Sequence, residues 1–225
     1  MKTDNKNKFQ NAKVVVVGAT GGIGSAFVEK IKQLDTNNIV IEVVRKKTQD
    51  HQIEVDMLNE ESMAKCAQDI QDQYGAIDII LNTVGLLHSD GAMPERAYKE
   101  INQDFLQKTF EANTFIPFMV SKYFVPLLSK ENTSLIAFMS ARIGSISDNN
   151  LGGWYSYRAS KAALNMLIKT LSIELTYKNK NAICIGLHPG TVKTNLSDPF
   201  SEKIKAGRSS RISENFMVIA RIESL

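Results

Sequence analysis

Tyr157 stands four residues before Lys161 in the segment WYSYRASKAALN, Trp154 to Asn165. In a helix, that spacing places phenol and ammonium on one face, one turn apart, where both can act on one bound molecule. A free tyrosine, with a pKa of about 10, is a poor base at neutral pH, and an adjacent cation favours its phenolate. Tyr157 is therefore a candidate proton donor and acceptor. An ordinary exposed helix pair has the same spacing, so the weight of this one depends on the rest of the chain.

A second stretch speaks to an anion. The apolar, β-branched run Val14 to Val17 reads as a strand buried on both faces and leads directly into GATGGIG, Gly18 to Gly24. Glycines there permit a tight turn and let backbone N–H groups approach a pyrophosphate at the start of a helix running from near Gly22 to about Leu34. A second strand, Ile39 to Val44, completes a strand-helix-strand unit around the loop. Where a carboxylate would meet an adenosine ribose, the chain carries Arg45, Lys46 and Lys47. A guanidinium grips a 2′-phosphate that a carboxylate would repel, so the expected cofactor is NADP rather than NAD. The alternative is a solvated basic turn.

Further polar residues follow at strand ends, where open α/β sheets bind ligands. A third strand, Ile53 to Val55, ends at Asp56, and a helix spans about Glu60 to Tyr74; a fourth strand, Ile77 to Leu81, ends at Asn82 within NTVG. Residues Asn102 to Leu128 read as one long helix containing Asn113 and Pro117. Proline at 117 removes the N–H that would bond the Asn113 carbonyl, freeing that oxygen for a water or a proton relay. A packed proline kink is the alternative.

Composition sets the frame. The 225 residues include 43% hydrophobic and 23% charged side chains, ordinary values that predict one folded domain over 1–225 with a polar tail at 1–11. The net charge of +3 is too mild to argue for nucleic acid or membrane partners. Cys66 and Cys184 have no metal-ligand or redox spacing and fit a reducing cytoplasm, and no apolar run approaches the roughly 20 residues of a membrane span.

Together, these residues resemble the short-chain dehydrogenases/reductases across nearly the whole chain: Gly18, Gly22 and Gly24 in a G-x-x-x-G-x-G loop, Asn82 to Gly85 as N-x-x-G, Asn113, Tyr157 and Lys161 as YxxxK, and PGTVKT at Pro189 to Thr194. The run SARIGSISDNNLGGWYSYRASKAALN is most similar to the C-factor and sniffer-like carbonyl reductase branch. The resemblance implies that Tyr157 is the acid/base, that Lys161 binds the nicotinamide ribose and lowers the Tyr157 pKa, and that Asn113 holds a relay water. It implies cofactor contacts from Gly18, Thr20, Gly22, Ile23, Gly24, Arg45, Asp56, Met57, Asn82, Gly85, Tyr157 and Lys161, and from Pro189, Gly190, Thr191, Val192 and Thr194.

Two departures accompany it. The family's serine pair falls on Ser140 and Ala141, so the usual catalytic hydroxyl is missing unless Ser140 or Ser145 supplies it. The ending is the other departure. After the helix Tyr157 to about Tyr177 and the strand Ala182 to Leu187, a basic stretch and a helix from about Ser213 to Arg221 follow, with no candidate for a seventh strand. The expected fold is thus an α/β Rossmann-type sheet of six parallel strands, order 3-2-1-4-5-6, with a mobile substrate loop at 199–211.

The leading expectation is an NADPH-dependent reductase of aldehydes, ketones or quinones, acting as a homodimer or tetramer without metal. A nucleotide-binding sensor without turnover is the second. A methyltransferase leaves YxxxK and PGTVKT unexplained. Trp154, His88, Leu151 and residues after Pro199 are the pocket candidates.

Overall fold

Four consecutive valines, Val14 to Val17, have no exposed surface, and alternate members face opposite sides of one sheet. Val15 and Val17 join the larger apolar cluster, Val14 and Val16 the smaller. Such a strand needs cover on both sides, which a parallel sheet between helical layers provides. A computed structural model of the chain describes residues 10–89 and 91–188, together with the backbone of Met217 and Val218.

The strands are β1 (Lys13–Val17), β2 (Ile39–Val44), β3 (Ile53–Glu54), β4 (Ile79–Asn82), β5 (Ser134–Met139), β6 (Ala182–His188) and β7 (Met217–Val218), and the spatial order is β3-β2-β1-β4-β5-β6-β7. The first six are parallel, in the expected order 3-2-1-4-5-6. Helix α1 (Gly22–Leu34) covers one face with Val28 and Ile31. Helices α2 (Glu60–Tyr74), α4 (Ile116–Phe124) and α5 (Tyr155–Lys178) bury Met63, Ile70, Phe124, Leu164 and Leu171 against the other.

Two expectations need correction. Met217 and Val218 are extended rather than helical, and they pair antiparallel with His188 and Leu187. A seventh strand therefore exists. Its two residues are too few to show an alternating pattern, but they satisfy backbone groups that the edge of β6 would otherwise expose.

The expected helix from Asn102 to Leu128 is also subdivided. Helix α3 (Gln103–Phe110) passes into a π turn, Glu111–Phe115, then into α4 and a 3-10 turn, Val125–Leu127. The Ile116 N–H bonds to the Glu111 carbonyl, five residues back. Pro117 then falls in the first turn of α4, where its missing N–H is tolerated. Among the described residues, no helix is long and apolar enough to cross a membrane.

Candidate active site

The carboxyl ends of β1 and β4 build the glycine cradle. Gly18 has a φ of 83°, and a side chain at Gly24 would place its Cβ 2.3 Å from the Gly18 carbonyl oxygen and 2.8 Å from Thr83 Oγ1. Thr83, between Asn82 and Gly85, fastens the loop by donating its hydroxyl to the Val17 carbonyl at 2.8 Å. The start of α1 is left open. Asn59 and Asn102 cap α2 and α3 with their side chains, whereas Gly21 provides α1 with no side-chain acceptor, and no acid lies in its first turn. Thr20 and Gly22 are exposed there, with Ile23 half-buried behind them. Unclaimed N–H groups at a positive helix end suit a phosphate, so these residues fit a dinucleotide.

The neighbouring strand ends contribute unequally. Arg45, Lys46 and Lys47 are exposed after β2, and Asp56 is exposed after β3, where its carboxylate accepts from the Leu58 N–H at 3.1 Å. Met57, beside it, is buried and packs into the core. Asn82 is buried at the end of β4.

Tyr157 and Lys161 on α5 converge with Asn113 of the π turn. Lys161 is 3% exposed and lies 5.8 Å from the Tyr157 ring centre. Asn113, with no exposed surface, binds both backbone groups of Leu86: its Oδ1 accepts from the N–H at 2.8 Å and its Nδ2 donates to the carbonyl at 2.7 Å. Its Nδ2 also donates to Ser160 Oγ at 3.1 Å, and Ser160 donates to the Tyr157 carbonyl at 2.9 Å. Gly85 closes the group, since a Cβ there would stand 3.3 Å from Asn113 Oδ1 and 3.6 Å from Lys161 Nζ.

The approach to α5 is built from three successive left-handed residues, Gly152, Gly153 and Trp154, with φ of 62°, 64° and 54°. Glu95, 1% exposed, braces this corner. Its carboxylate accepts from the Ser156 N–H at 3.2 Å and from the Ser156 hydroxyl, and its carbonyl accepts from the Trp154 N–H. Neither Glu95 nor Ser160 carries a sequence signal of its own. Each became relevant only through residues distant in the chain.

Burial governs the titration of both Tyr157 and Lys161. Burial pushes the Tyr157 phenol up to about 12 and the Lys161 ammonium down to about 7. Lys161 donates to the Met139 carbonyl at 2.7 Å. Desolvation disfavours the charged form of each group.

Ser140 does not replace the missing hydroxyl. It donates to Asn165 Oδ1, two turns beyond Tyr157 on α5. Ala141 instead shares an apolar cluster with Leu87 and Tyr157, flanked by Ile143 and Trp154. Ser145 Oγ lies by Ser147 Oγ and accepts from the Asp148 N–H. Of the pocket candidates, Trp154 meets Tyr157 edge-on at 6.2 Å, His88 is half-buried and Leu151 is exposed. Pro189, Gly190, Thr191, Val192, Thr194 and the 199–211 loop lie outside the described residues. A cavity of about 430 Å³ lined by Lys13, Asp78 and Asn132 opens at the opposite, amino ends of the strands. Among the described residues, no cluster of three or more His, Cys, Asp or Glu side chains suits a metal.

Comparison with known proteins agrees with this geometry. Residues 12–205 match the family described as short chain dehydrogenase. The chain is 31% identical over 145 residues to an uncharacterized oxidoreductase, C663.09c, of Schizosaccharomyces pombe, covering 64% of this chain and only 54% of that protein. It is 31% identical over 125 residues to the C-signal of Myxococcus xanthus, covering 56% of this chain and 71% of that one. The solved structure of NADPH-bound carbonyl reductase from chicken fatty liver superposes with a TM-score of 0.70 at 25% identity, covering 82% of this chain and 81% of that one. Carbonyl reductase Sniffer of Drosophila melanogaster gives 0.63 at 24% identity, with 83% of each chain covered, a likeness of fold. The glycine cradle, the Tyr157–Lys161 face and the match over 12–205 lead to one conclusion: this chain belongs to the short-chain dehydrogenase family.

Proposed function

We propose that the chain is an NADPH-dependent oxidoreductase that reduces a carbonyl, in an aldehyde, ketone or quinone, to an alcohol. The observation that carries this reading is the convergence of Tyr157, Lys161 and Asn113 around Gly85, next to an open helix start that fits a pyrophosphate. The bound nicotinamide would supply the hydride. Tyr157, neutral and buried, would deliver the proton to the substrate oxygen. Lys161 would hold the nicotinamide ribose. Asn113 fixes the loop of Leu86 against α5 and would anchor the proton relay. Arg45 would grip the 2′-phosphate, and the cytoplasm would provide the reducing compartment that suits the buried free thiols Cys66 and Cys184.

The exposed apolar residues Phe115, Phe118, Met166 and Tyr177 on α4, α5 and the π turn support a homodimer through these helices. Sedimentation showing only monomer at micromolar concentration would count against it.

A second reading, a nucleotide-binding sensor without turnover, is favoured by one observation: Ala141 leaves no hydroxyl beside Tyr157, and Ser140 is committed to Asn165. The deciding experiment is NADPH oxidation over a panel of aldehydes, ketones and quinones with Tyr157→Phe as control. Turnover that this substitution abolishes supports the reductase. Tight NADPH binding with no turnover on any substrate supports the sensor.

A further inference from the structure

The turn after β2 carries three successive cations, Arg45, Lys46 and Lys47, all exposed and none ion-paired with another described residue. Adjacent like charges repel, and the connection from 45 to 52 has conformational freedom to lose before it can hold a ligand. The structure holds it from beneath. Glu42, 5% exposed on β2, pairs through Oε1 with Lys32 Nζ at 2.8 Å and His51 Nε2 at 3.1 Å, and through Oε2 accepts from Gln52 Nε2 at 3.0 Å. Gln52, also buried, turns its own Oε1 to the turn, accepting from the Thr48 N–H at 2.9 Å, the Thr48 hydroxyl at 3.1 Å and the Gln49 N–H at 3.2 Å. The Lys47 N–H donates to Glu54 at 2.8 Å. Burial alone would push the Glu42 carboxyl up, but hydrogen bonds from Lys32, Gln52 and His51 outweigh it, so the group stays ionised at neutral pH.

We infer that Glu42 and Gln52 form a clasp that pre-shapes the basic turn for a 2′-phosphate, so that two residues beneath the turn set the preference for NADPH over NADH. The inference rests on the proposed role of Arg45. Both residues act through the turn as positioning residues. A turn already ordered before binding spares the complex that ordering entropy, and NADH, which lacks the phosphate, gains nothing from it. Electrostatics alone points the other way. Removing the Glu42 carboxylate takes a negative charge from near a phosphate site and should tighten NADPH binding, whereas loss of the clasp should weaken it.

The test is equilibrium binding of NADPH and NADH, separately, to the full chain by calorimetry, with unfolding midpoints measured alongside, for wild type, Gln52→Leu, Glu42→Gln and Arg45→Ala. Gln52→Leu changes no charge and is expected to weaken NADPH binding about tenfold while NADH stays within about twofold. Glu42→Gln is expected to shift NADPH in the same direction. NADPH affinity unchanged or increased in Gln52→Leu overturns the clasp, as does equal loss of both nucleotides with a falling midpoint. Should Glu42→Gln fail to fold, Gln52→Leu decides alone. A preference that Arg45→Ala abolishes but Gln52→Leu leaves intact refutes the clasp and keeps the basic turn. A wild type without preference for NADPH refutes both.

Discussion

The ammonium of Lys161 is held by the carbonyl of Met139, at 2.7 Å, and by no carboxylate among the described residues. A cation anchored to strand backbone in a desolvated pocket can rest against a ligand without being neutralised by an acid of the protein. The arrangement also explains why burial dominates its titration.

That depressed value, about 7 against an ordinary 10.5, links stability to pH. Between these values the unfolded chain binds a proton that the folded chain does not, so Lys161 makes stability rise with pH from about 7 toward 10.5 and removes that gain as pH falls back. Denaturant unfolding at pH 7 to 9.5 should show wild type gaining on Lys161→Met by about 1 kcal/mol per pH unit. Parallel curves for the two proteins would contradict the buried, depressed ammonium.

Ala141→Ser should place a hydroxyl in the apolar cluster beside Tyr157 with little change of volume. If carbonyl reduction is limited by the absent donor, kcat should rise roughly ten- to a hundredfold while the nucleotide Kd stays constant. Steady-state kinetics on the best substrate of the panel would decide. An unchanged kcat would show that Tyr157 suffices as donor.

Gly24→Ala should abolish dinucleotide binding. Its Cβ would meet backbone on two sides, the Gly18 carbonyl at 2.3 Å and Ala19 Cα at 3.0 Å, and backbone cannot rotate away as a side chain can. Calorimetric titration with NADPH checks this, with circular dichroism to establish that the sheet persists. Binding within a few-fold of wild type would mean that the loop tolerates a wider turn.

Ser156→Ala should weaken the clamp of Glu95 on the start of α5. A carboxylate 1% exposed would keep the Ser156 N–H and lose the hydroxyl, which should lower stability by about 1–3 kcal/mol in urea unfolding. Glu95→Gln should be milder than Glu95→Leu, because the amide retains an acceptor for the N–H. Equal losses in both Glu95 variants would indicate that the carboxylate charge, which neither variant retains, is the contribution.

The glycine cradle and the shared face of Tyr157 and Lys161 were legible in the chain because each is written in spacings of one to four residues, whereas the parallel order of the first six strands followed from the alternation of strands and helices and from the family resemblance. The unusual spacing of Asn113 and Pro117 was legible too, but the π turn that accommodates it, with the Ile116 N–H reaching back to the Glu111 carbonyl, is visible only in the structure. Ser140 shows the limit well: its alignment against the family could be read, while the direction of its hydroxyl, toward Asn165, is set by β5 lying under α5. Glu95 with Ser156, and Glu42 with Gln52, leave no local pattern at all. A buried polar group is satisfied by whichever partner the assembled sheet and loops bring within about 3 Å, and that choice exists only after the layers have closed.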